Sequence, residues 1–115
     1  VIGEEAVVTT TIDRGIALVS LRGEIDEDHA PTLARAFAQT AASGLALTVV
    51  DLSRMRFADS SVLHALFDAQ RAHRAAGVAL VLAGPLQAAV RRLFEVTGAA
   101  PAFRMADCLE SAMTS

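Results

Sequence analysis

The chain has 115 residues, of which 53% are hydrophobic and 20% charged, and carries a formal net charge of −3. That length and apolar content suit one compact domain built on one core, spanning 1–115, and no apolar run approaches the roughly 20 residues needed to cross a bilayer. All ten basic residues are arginine, and no basic cluster is longer than Arg91-Arg92, so there is no footprint for neutralising a nucleic-acid backbone.

Val7 to Ile12 and Ile16 to Leu21 are rich in β-formers and are joined by the turn signal Asp13-Arg14-Gly15, which predicts an opening hairpin. From Asp28 to Gly44 the pattern turns helical. Asp28 or His29 serves as cap, Pro31 stands early, and Leu33, Ala34, Phe37 and Ala41 recur at helical spacing. Leu45 to Leu52 is short and almost wholly apolar, as in a central strand buried on both faces. After a loop, Val62, Leu63, Leu66, Phe67 and Ala69 form the apolar stripe of a second helix that Gly77 ends.

Val78 to Ala83 reads as a further strand, and Ala89, Val90, Leu93 and Phe94 mark a third helix stopping at Thr97-Gly98. Ala102 to Arg104 reads as a short edge strand and Ala106 to Met113 as a terminal helix. Strands alternating with helices after a hairpin predict an α/β fold whose mixed sheet is mostly parallel, with about four helices.

Little in the chain supports catalysis. His29, His64 and His73 have no metal-ligand spacing, and neither GxGxxG nor GxxxxGK[ST] occurs. Ser60 and Ser61 lie outside a GxSxG elbow, and His64, one turn after Ser60, is expected to face solvent. Glu24, Asp26, Glu27 and Asp28 form an acidic cluster without EF-hand spacing. We therefore expect no catalytic residue, no cofactor and no metal. Cys108 has no second cysteine for a disulfide or a thiolate site and is expected to be a buried small apolar residue of the last helix. No signal peptide is recognisable, which makes a cytoplasmic location, with no membrane or nucleic-acid partner, the expectation.

Asp59-Ser60-Ser61 stands between strand and helix. It is an ordinary helix cap, and it is also a place where free backbone N–H groups and the helix dipole accept a phosphate. Three blocks give this stretch its context: Leu21-Arg22-Gly23-Glu24-Ile25-Asp26 with Ala30 to Leu33; Val50-Asp51-Leu52-Ser53 with Phe57-Ala58-Asp59-Ser60-Ser61; and Val90-Arg91-Arg92-Leu93-Phe94 with Thr97-Gly98. In that order, and over nearly the whole chain, they resemble the STAS family, and within it the bacterial anti-sigma factor antagonists.

The resemblance implies a partner switch rather than an enzyme. Ser60 is then the group phosphorylated by an anti-sigma factor that is also a serine kinase. The unmodified protein binds that factor and frees a sigma factor, and a PP2C-type phosphatase resets the phosphorylated form. The resemblance places the Gly23-Glu24-Ile25-Asp26 loop near the serine, so that Glu24, Asp26, Asp59, Ser60, Ser61 and Val62 make up the partner surface of a protein that is monomeric when free. Met55 and Phe57, in the loop before Asp59, are either contacts or core.

One position departs from the family pattern, which has glycine where this chain has Val62. A helix accepts valine at modest cost, but a branched side chain in the first turn is expected to crowd an approaching kinase. The alternative function is a STAS module that binds without phosphorylation, as a transport accessory, a lipid-trafficking component or a sensor subunit.

Overall fold

A computed structural model describes residues 6–114, so the two ends of the expected 1–115 domain lie outside the described residues. The chain runs β1 (Val7–Asp13), β2 (Ile16–Ile25), a 3-10 turn (Glu27–His29), α1 (Ala30–Ala41), β3 (Leu47–Ala58), α2 (Ser60–Ala76), β4 (Ala79–Ala83), α3 (Ala88–Thr97), a second 3-10 turn (Ala100–Ala102), β5 (Arg104–Ala106) and α4 (Leu109–Met113). The strands lie in chain order in one five-stranded sheet. β1 and β2 form an antiparallel hairpin and every later pairing is parallel. This is the mixed, mostly parallel sheet that the alternation of elements predicts.

The alternation of side chains along the strands builds two unequal layers. Val19, Leu21, Val50, Leu52, Leu80 and Leu82 point to one face, where Leu33 and Phe37 of α1, Leu63 and Leu66 of α2, and Val90 and Phe94 of α3 close over them. The other face has a smaller cluster of Val49, Val81 and Ala83 under Ala112 and Met113 of α4. Val49 and Val50 are both fully buried, so β3 is covered on both faces at its centre, as its apolar run implies.

Two strands are longer than the sequence indicates. The apolar pattern ends β3 at Leu52 and β2 at Leu21, because Ser53-Arg54-Met55-Arg56 and Arg22-Gly23-Glu24 are polar and read as loop. Both strands continue, pairing Arg22 with Arg54, Gly23 with Met55, Glu24 with Phe57 and Ile25 with Ala58, across two register shifts. Met55, Ala58 and Ile25 still point into the core. A strand with one open face needs only alternate apolar residues, and the register shifts break even that alternation.

The entry to the first helix has two steps: His29 holds the capping position of α1, as the sequence allows, without a side-chain hydrogen bond to the helix, and Asp26 caps the 3-10 turn before it, its carboxylate accepting the Asp28 N–H at 3.0 Å. Cys108 is neither buried nor inside the last helix. It is the exposed residue preceding α4, with its Sγ 3.4 Å from the Ser111 hydroxyl, because α4 is only five residues long and begins at Leu109.

Candidate functional site

The parallel pairing of Ile25 with Ala58 brings β2 and β3 to an end side by side. The next residue in each strand is an aspartate, and each aspartate is a cap: Asp26 of the 3-10 turn leading to α1, Asp59 of the helix α2. The acidic segment and the two serines are thus neighbours by topology, at the carboxyl ends of adjacent parallel strands, where open α/β sheets present their sites.

Asp59 has extended backbone and its Oδ1 accepts the Ser61 N–H at 3.0 Å together with the Ser61 hydroxyl. The Ser61 hydroxyl is the main reason that the Asp59 carboxyl is held below its ordinary range; the N–H groups of Ser61, Glu27 and Val62 act in the same direction against partial burial. The Glu27 N–H belongs to the turn after β2, so the groups that lower the Asp59 carboxyl come from both strand ends. The Val62 N–H bonds the Asp59 carbonyl at 3.1 Å.

The adjacent serines consequently differ. Ser61 is half-buried with its hydroxyl committed to Asp59, whereas Ser60, the first residue of α2, is exposed and its hydroxyl makes no hydrogen bond among the described residues. The N–H groups expected to be free for a phosphate are largely taken: those of Ser61 and Val62 both bond Asp59. A phosphate on Ser60 therefore meets an ionised carboxylate instead of an empty cap.

Glu24 stands exposed on β2, and its carboxylate accepts a hydrogen bond from Arg56 of β3 at 3.1 Å. Val62 does not belong to the outer surface that the sequence assigns it to. Its side chain is 1% exposed and packs in the main core, so it faces away from an approaching partner and the expected crowding has no basis in this geometry. The two alternatives for Met55 and Phe57 divide between them: Met55 is core and Phe57 is 46% exposed. Arg56 is the residue that sequence reasoning missed, and the signal available for it was its position in a segment that continues β3 toward Asp59-Ser60-Ser61.

His64 is exposed, as expected, and no hydrogen bond joins it to Ser60. No group of three or more metal-ligating side chains is found among the described residues, and no helix there is long and apolar enough to cross a membrane.

The STAS domain family model matches residues 7–112. The chain belongs to the STAS domain family. Its fold agrees with that of an anti-sigma factor antagonist from Mycobacterium paratuberculosis at 30% identity, with 96% of this chain and 92% of that chain covered and a TM-score of 0.79. The phosphorylated form of the Bacillus cell fate determinant SpoIIAA shares the fold at 19% identity, with 94% and 97% covered and a TM-score of 0.69. So does a sulfate transporter family protein from Wolinella succinogenes, at 17% identity, 90% and 86% covered, and a TM-score of 0.74. No curated protein sequence matches significantly.

Proposed function

We propose that this STAS domain is an anti-sigma factor antagonist switched by phosphorylation of Ser60. The observation that carries the reading is the division between the two serines: one hydroxyl at the helix entrance is exposed and unbonded, and its neighbour is held by Asp59. A kinase needs the first kind of hydroxyl, and a cap needs the second. The 30% identity to an antagonist over almost the full length of both chains supports the same assignment.

In this mechanism the chain performs no chemistry of its own. An anti-sigma factor with serine kinase activity docks against Glu24, Asp26 and the Asp59-Ser60-Ser61 entrance, releases its sigma factor, and later phosphorylates Ser60. The phosphate adds about −1.5 to −2 charge beside the Asp59 carboxylate, and that charge must lose its water for the complex to reform. A PP2C-type phosphatase removes it. Val62 is no obstacle, because its side chain is in the core.

The test is a capture experiment from lysate of the source organism with the wild-type chain and Ser60→Asp in parallel, followed by incubation of the purified partner with ATP and mapping of the modified residue. The expected result is an anti-sigma factor kinase held by the wild type, lost with Ser60→Asp, and placing phosphate on Ser60 and not on Ser61. Equal capture by both baits, or capture of no kinase, would sink the switch and favour a STAS module that binds without phosphorylation.

A further inference from the structure

The two edges of the sheet are β1 and β5. β5 is only three residues long, Arg104–Ala106. β1 offers seven, Val7–Asp13, and from Val7 to Ile12 they are valine, threonine and isoleucine alone, with none of the prolines or charged side chains that blunt an exposed edge. Among the described residues no segment pairs with its outer side. The hairpin fixes which backbone groups that side presents. Arg14 and Gly15 both have positive φ, 53° and 76°, so the turn is of the two-residue kind that closes on a hydrogen-bonded pair, here Asp13 and Ile16. The register runs on from there without a bulge, and hydrogen-bonded pairs alternate along it, so Thr11, Thr9 and Val7 direct their backbone groups to β2. The N–H and C=O groups of Val8, Thr10 and Ile12 point the other way, out of the edge.

We propose that β1 is a dimer interface, pairing antiparallel with β1 of a second copy of this chain about a two-fold axis at Thr10, so that the two sheets continue as one. This replaces the free monomer that the family resemblance implies. The self-complementarity of the strand argues for a second copy as the occupant. With the axis at Thr10, Val8 of each copy faces Ile12 of the other, the reciprocal contact that a two-fold interface requires. These residues all carry outward backbone groups, so each facing pair exchanges both its hydrogen bonds. Val8 packs against the main core, and strand alternation puts Thr10 and Ile12 on the same face. Ile12 is 69% exposed there, and the second copy brings an apolar Val8 against it. On the other face Thr9 meets Thr11, a favourable cross-strand pair, and Asp13 meets Val7, so no like charges are brought together. A strand of another protein would satisfy the backbone equally, but would owe nothing to the spacing of Val8 and Ile12 about Thr10. Ser60 follows β3, which β2 separates from this edge, and the antiparallel two-fold sets the two helix entrances at opposite ends of the joined sheet.

The dimer involves no kinase, so it stands or falls separately from the switch. The experiment is sedimentation equilibrium of the purified chain over about a hundredfold range of concentration, with Thr10→Pro and Ile12→Lys alongside and far-ultraviolet circular dichroism confirming each fold. The expected result is a mass that rises from one chain toward two as concentration increases. Thr10→Pro removes an N–H that the hairpin does not use, a change that an edge strand tolerates, and Ile12→Lys places a charge on the apolar contact. Each is expected to weaken the dimer about tenfold or more. Disulfide trapping in a Cys108→Ser background reads the register. Chains carrying Thr9→Cys and Thr11→Cys are expected to form a mixed disulfide when combined, because facing residues of a non-hydrogen-bonded pair have Cα atoms about 4.5 Å apart. Either variant alone is expected to cross-link about tenfold more slowly, its cysteines no longer facing each other. A single-chain mass at every concentration overturns the dimer. A dimer that Thr10→Pro and Ile12→Lys leave unchanged, or that yields no mixed disulfide, forms through another surface and overturns β1 as the interface.

Discussion

Ser60 and Ser61 carry the same functional group on consecutive residues, and their different fates are set by one carboxylate. Asp59 satisfies the helix entrance through Ser61, and the residue between them is left with a hydroxyl directed to solvent. The next residue completes the division. Val62 lies in the first turn of α2 and is turned to the core, so valine in place of the family's glycine acts on stability rather than on recognition. Val62→Gly forfeits burial of about 1.5–3 kcal/mol and adds several tenths of a kcal/mol of helix propensity cost, so a loss of about 2–3 kcal/mol is expected in urea denaturation. The rate of Ser60 phosphorylation under native conditions is expected to stay within about twofold. A large gain in phosphorylation with little loss of stability would show that Val62 does face the kinase.

At the scale of elements, α1, α2 and β3 are joined by a polar group that the hydrophobic pattern hides. His73 of α2 is 1% exposed. Its Nδ1 lies 2.7 Å from the Ala69 carbonyl, and its Nε2 lies 3.0 Å from Thr40 Oγ1 of α1 and 3.1 Å from Thr48 Oγ1 of β3. A carbonyl only accepts, so Nδ1 carries the proton and Nε2 receives a threonine hydroxyl, which is the arrangement of a neutral imidazole. Burial lowers its pKa below the usual histidine value, with the Ala69 hydrogen bond opposing. A group whose folded pKa is depressed favours the unfolded chain once protons are available to it. The stabilisation is thus fully present above the unfolded value of about 6.5 and declines as pH falls toward the lower folded value. Urea midpoints are expected to fall between pH 7 and pH 5 in the wild type, and that part of the fall is expected to vanish in His73→Gln; an unchanged slope in the variant would assign the acid sensitivity elsewhere. The sequence shows His73 only as a histidine on a helix, because its partners lie 33 and 25 residues away in the chain. The same limit hid the ends of β2 and β3. Their cores, Val19 to Leu21 and Val49 to Leu52, were legible as apolar runs, and the Asp59-Ser60-Ser61 entrance was legible as a cap. Phe57 was not, since a phenylalanine among arginines reads equally as core or surface until the register of the strand is known.

For the whole molecule, the arrangement separates what folding needs from what binding needs. The core under α1, α2 and α3 contains Val62, Leu63 and Leu66 of α2 but not the Ser60 side chain, and the cap that starts α2 is made by Asp59 and Ser61 without it. Phosphorylating Ser60 therefore adds two opposing terms to the free protein. The Asp59 carboxylate repels the dianion by about 1 kcal/mol per unit charge at close range in water, and each unit of negative charge at a helix N-terminus gains about 0.3–1 kcal/mol. The sum is close to zero. In the complex proposed above the same dianion would have to lose its water against the partner, a cost that the free protein does not meet. The expected outcome is that phosphorylated and unmodified protein have superimposable far-ultraviolet circular dichroism and unfolding free energies within about 1 kcal/mol, while affinity for the kinase falls by about 100-fold or more. Loss of helix in the phosphorylated form, or a stability change as large as the binding change, would instead place the switch inside the fold, with α2 unwinding from its first turn.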